Sequence, residues 1–115
     1  MPSVATVSDM LVTVKSREVQ RAMAAELQGD AARAKKHFLA AAHLEQVLAD
    51  DYQNADDPAL SHRSMISAAS CFWRAGQHDE ATAILGGLKQ SDPSCQSEIE
   101  QVEDELAEQY PISAA

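Results

Sequence analysis

Apolar residues recur at helical spacing in five blocks of this chain. In the first, Leu11, Val14, Ala22 and Ala25 form one stripe, and Val12, Val19, Met23 and Leu27 form a second. Ser8 or Asp9 is placed to cap this helix, and Gly29 to end it. Asp30 starts a second helix over 31–52, with Ala34, Phe38, Ala41, Leu44 and Leu48 along one face. Arg33, Lys35 and Lys36 open this helix, and Asp50 and Asp51 close it. That order opposes the helix's own dipole, at a cost of about tenths of a kcal/mol for exposed charges. A polar loop follows over 53–57. Asp57-Pro58 combines a carboxylate cap with proline at the first helical position, and starts a third helix over 58–75. A fourth covers 79–90. Asp92-Pro93 repeats the start signal for a fifth over 94–110, which Pro111 stops. Ile99, Val102, Leu106 and Tyr110 form one narrow stripe on this otherwise polar helix, which suits a helix covering the end of a stack. The pattern predicts a flexible arm over 1–7, one all-α domain over 8–110 and a short tail over 111–115.

The third and fourth helices meet at Gly76 with small residues where they cross. Ala69 and Phe72 stand seven and four residues before that glycine, and Ala81 and Leu85 five and nine after it. The same offsets from Gly29 give Ala22, Ala25, Ala34 and Phe38. Small residues at a crossing let two helices approach, and a large one a turn further on fills the gap beyond. With Met65, Ala68, Ala69, Phe72, Gly76, Ala81, Leu85 and Pro93, the second unit resembles the tetratricopeptide repeat, a 34-residue helix-turn-helix. Met65 and Ala69 stand where that family prefers tryptophan and glycine, and Glu18 and Arg21 replace apolar positions in the first unit. The resemblance implies about five helices in antiparallel hairpins, wound as a right-handed array with a C-terminal capping helix. It also implies a peptide-binding groove between the first and third helices. Val19, Met23 and Glu26 would line it from one side; Arg63, Ile66, Ser67, Ser70, Trp73 and Arg74 would line it from the other. The lysine and asparagine with which one subtype holds a C-terminal carboxylate are replaced by Val19 and Met23.

Composition narrows the function classes. A chain of 115 residues suits one domain. Aromatic residues make up only 4%, and β-branched runs are scarce after Val19, which disfavours a sheet. The net charge of −9 disfavours nucleic acid and anionic membranes as partners. Lys89 is the only lysine or arginine beyond Gly76, so the acidity belongs to the C-terminal end. Glu100, Glu103, Asp104 and Glu108 have no basic partner on their own helix and form a candidate face for a basic partner. The N-terminus shows no export signal, and Cys71 and Cys95 read as free thiols, so a cytoplasmic location is expected. Cys71 reads as a buried thiol; Cys95, in the first turn of the fifth helix, has the dipole position that lowers a thiol pKa. His37, His43, His62 and His78 fit no metal-ligand spacing, and Gly86-Gly87 no phosphate loop, so neither metal nor cofactor is expected. These observations favour a non-enzymatic module that binds a protein or peptide. The alternatives are a structural subunit that self-associates as a homodimer and, less favoured, a small enzyme or ligand sensor.

Overall fold

Side-chain caps from Thr6, Asp30 and Asp57 set the starts of the first three helices. The computed structural model describes residues 6–112. These form α1 (Val7–Leu27), α2 (Ala31–Asn54), α3 (Pro58–Arg74), α4 (His78–Ser91) and α5 (Gln96–Gln109), with a single 3-10 turn at Pro93–Cys95 before α5. No strand occurs among the described residues. The fold is all-α, with successive helices antiparallel.

The start of α1 differs from the expected Ser8 or Asp9 cap. Thr6 is the cap: its hydroxyl accepts the Asp9 N–H at 3.1 Å, and the Asp9 carboxylate accepts the Thr6 N–H at 3.0 Å. This reciprocal pair satisfies two helix-end donors that Ser8 alone would leave open. Thr6 and Val7 therefore belong to the helix rather than to an arm, and the rest of that expected arm, 1–5, lies outside the described residues. In the expected tail, Pro111 and Ile112 are described and exposed, and 113–115 lie outside.

One turn geometry is used three times. Gly29 and Gly76 have φ of 74° and 84°, and Asp56 takes the same left-handed conformation at 57°. At each, the next amide reaches back to a carbonyl five residues earlier: Asp30 to Ala25, Asp57 to Tyr52, and Gln77 to Phe72. The residue that closes one helix is thus followed directly by the cap of the next, which keeps consecutive helices close and antiparallel. The expected five-residue loop shrinks because α2 runs on to Asn54. Asp56 is the strained member, since a side chain in this conformation costs more than glycine does. Asp56→Gly should raise stability by about 0.5–1 kcal/mol, read as a higher urea midpoint at unchanged slope. Gly29→Ala should lower it by about 1 kcal/mol from backbone conformation, because a Cβ there meets nothing within 4 Å.

The core follows the two glycine turns. Ala22, Ala25, Ala34 and Phe38 around Gly29 are all buried, as are Ala69, Phe72, Ala81 and Leu85 at the same offsets around Gly76. Alanines at the crossings let α2 pack along both α1 and α3, while α1 packs on α2 alone. Ile99 and Leu106 bury the stripe of α5 against α3 and α4. Leu44, expected on the inner face of α2, is only half-buried; Glu45 takes the inner place.

Two of the charges that opposed the dipole of α2 lie against its neighbours. Asp51, at the C-terminal end of α2, accepts the Ser8 hydroxyl in the first turn of α1 at 3.3 Å. Lys35, near the start of α2, lies beside Gly76, at the C-terminal end of α3. In an antiparallel pair each helix start adjoins its neighbour's end, so a charge wrong for its own dipole is right for the next one.

Candidate functional site

Glu45 is where α1, α2 and α3 come together. It is 4% exposed. Its carboxylate lies 3.8 Å from the Lys15 ammonium of α1. Burial holds the Glu45 carboxyl above its ordinary range, opposed by the Lys15 charge and, less, by the nearby Ser67 of α3. Glu45 therefore sits on α2 between the Lys15 side of α1 and the Ser67 side of α3. Sequence reading missed it, although the spacing holds a signal: 38, 41, 45 and 48 follow one helical stripe.

The expected groove residues divide into two sets. Val19 is half-buried against the core, Met23 is 49% exposed, and Glu26 is exposed, all on α1. Arg63 and Ser67 are exposed on α3. Ile66, Ser70, Trp73 and Arg74 are half-buried. Ser70 and Arg74 share a cavity with Val102 and Leu106 of α5, so that part of the α3 face meets α5. Arg63 also lines a cavity of about 600 Å³ between α3, the end of α4 and the start of α5, together with His62, Met65, Cys95 and Glu98.

The end of the chain's last helix closes over Trp73 and Arg74. The Trp73 indole N–H donates to the Tyr110 carbonyl at 2.9 Å. The Arg74 guanidinium lies between two rings, 4.6 Å from the centre of Phe38 and 4.8 Å from that of Tyr110. Its Nη2 donates to the Tyr110 hydroxyl at 2.5 Å. Its Nε is buried without a hydrogen-bond partner, the one such side-chain atom among the described residues. Tyr110 was legible as the last residue of the α5 stripe, but its contacts with Trp73 and Arg74 were not.

On the acidic helix, Glu100, Asp104 and Glu108 are exposed. Glu103 differs from them: it is half-buried, and Lys89 of α4 donates to it at 2.8 Å. That bond, formed across two helices, raises the Lys89 pKa. The expectation for Cys95 is corrected. The residue is 7% exposed, its thiol donates to the Asp92 carbonyl at 2.8 Å, and burial followed by the Asp92 charge raises its pKa. A helix dipole cannot offset the loss of solvent around a thiolate there. Cys71 is likewise buried, and burial together with the Glu45 charge pushes its thiol up to about 11.

Among the described residues no group of three or more His, Cys, Asp or Glu is placed to hold a metal ion. No helix among them is long and apolar enough to cross a membrane. No family model, no curated protein and no solved structure matches this chain.

Proposed function

We propose that this protein is a non-enzymatic interaction module that takes a protein or peptide segment along the channel between α1 and α3. The observation that carries the reading is the state of α1. It packs on one neighbour only, and Val12, Met23 and Leu27 stay exposed along the stripe they share with Val19, Leu27 at 91%. Single exposed apolar residues are ordinary, but three on one stripe of an edge helix mark a surface suited to a partner. Arg63 and Ser67 across the channel add polar groups to fix orientation. The paired hairpins, with buried residues at matching offsets from Gly29 and Gly76, support a tetratricopeptide-like arrangement, in which such a channel is the peptide site. The exposed acids Glu100, Asp104 and Glu108 suit a rim that speeds the approach of a basic partner.

A second reading shares the same observation: the exposed flank of α1 meets a second copy, giving an isologous homodimer. Peptides selected from a displayed random library on the immobilised protein separate the two. Binding through the channel should weaken at least tenfold with Met23→Glu and with Arg63→Glu. Peptides indifferent to both changes would overturn the channel reading. Sedimentation at micromolar concentration giving a dimer that Met23→Glu dissociates would favour self-association.

A further inference from the structure

We propose that Arg74 is the anchor of a carboxylate-binding subsite, and that Tyr110 is a placeholder an incoming acidic peptide displaces. This rests on the channel reading and deepens it. The Nε and Nη2 hydrogens of arginine point the same way and form a fork that a carboxylate fills with two parallel bonds. In this protein a phenol fills half of it: Nη2 donates to Tyr110, and Nε has no acceptor. A buried donor left unpaired is costly, and native structures rarely keep one without a use. A single phenol oxygen satisfies one arm of the fork; two carboxylate oxygens satisfy both.

The surroundings fit such a ligand. Cavities of about 440 and 300 Å³ flank Arg74, and Lys35 and Tyr110 line both. Two cations therefore converge on one spot in a chain whose net charge is −9, with Glu26 also lining the smaller cavity. The groups that hold Tyr110 also describe what replaces it. The Trp73 indole N–H holds a main-chain carbonyl, and the exposed face of the guanidinium holds an aromatic ring. An extended segment with an aromatic residue next to a carboxylate meets both. Pro111 and Ile112, which follow Tyr110, are exposed, so the placeholder is held by Tyr110 itself.

The test uses the full chain and the emission of its one tryptophan, Trp73. The probes are acetyl-alanyl-tyrosyl-X-alanine amide, with X glutamate or glutamine, and acetyl-alanyl-tyrosine with a free terminal carboxylate. Tyr110→Ala should bind at least one carboxylate probe tenfold or more tighter than the glutamine probe. It should also bind that probe tenfold or more tighter than the unchanged protein does. The better of the two carboxylate probes identifies a side-chain or a terminal source. Adding Arg74→Gln to Tyr110→Ala should abolish the discrimination. If circular dichroism shows Tyr110→Ala unfolded, Tyr110→Phe keeps the ring, frees Nη2 and should still gain several-fold. Equal binding of the glutamate, glutamine and free-acid probes overturns the proposal, as does equal binding by the unchanged and Tyr110-substituted proteins, or no binding at all. Peptides that need Met23 but are indifferent to Arg74 and Tyr110 would keep the channel reading and sink this one.

Discussion

Phe38→Ala should lower the unfolding free energy by about 3–5 kcal/mol, the cost typical of a large aromatic side chain removed from a close-packed site. Phe38 is fully buried on α2, and it lies under the Arg74 guanidinium of α3. The substitution removes apolar burial and leaves a cavity between helices that alanines already hold close together. Domains of this size have roughly 5–15 kcal/mol in total, so the variant should stand near the edge of folding. Leu85→Ala, at the matching position of the second hairpin and also buried, should cost about 2–5 kcal/mol. Urea unfolding followed by circular dichroism reads both. Losses below about 1 kcal/mol at both positions would mean that the two hairpins do not share a packing scheme.

Lys15→Met should cost roughly 1–3 kcal/mol near neutral pH, while Glu45→Gln should be close to neutral or stabilising. The asymmetry comes from which partner is buried. The Lys15 side chain is 25% exposed and Glu45 only 5%, so removing the lysine strands a carboxylate, whereas removing the carboxylate frees a half-solvated ammonium. Methionine keeps most of the stem, so the loss reads as charge rather than packing. The pH dependence carries a definite sign. Burial raises the Glu45 carboxyl above its usual range, so the folded protein holds a proton there more tightly than the unfolded chain. The stability gained this way is complete below the unfolded carboxylate range, near about 4.3, and is lost as pH rises through the folded value. The penalty of Lys15→Met should therefore be largest at pH 8 and shrink on acidification. Urea midpoints for both variants at pH 4 and pH 8 are the measurement. A penalty independent of pH would remove Glu45 as its cause.

Much of the candidate site could be found from spacing, but its depth could not. The stripe of Arg63, Ser67, Ser70 and Arg74 follows from helical period alone. That Arg63 and Ser67 are exposed while Ser70 and Arg74 are half-buried depends on where α5 lies. The acidic helix shows the same limit. Four acids without a basic partner on their own helix were evident, yet Lys89 reaches Glu103 from α4. Cys95 was misjudged because a helix-start position says nothing about solvent, and solvent decides the thiol.

The sequence by itself determined most of the helix boundaries, though not the Thr6 cap of α1 or the end of α2 at Asn54. Asp57-Pro58, Gly29, Gly76 and Pro111 act on groups within about one turn of themselves, so their effect is written in adjacent residues. It also determined the inner faces, because burial at Ala22, Phe38, Ala69, Phe72 and Leu85 follows the helical period. The tertiary structure decided the meaning of the charges. Asp51 and Lys35 oppose the dipole of their own helix and complement those of α1 and α3, which only antiparallel packing can arrange. It decided that Glu45 is buried beside Lys15, and that Tyr110 reaches Trp73 and Arg74 across 37 and 36 residues. Such contacts depend on crossing distances of a few ångströms between helices, and nothing within one turn of the chain encodes those.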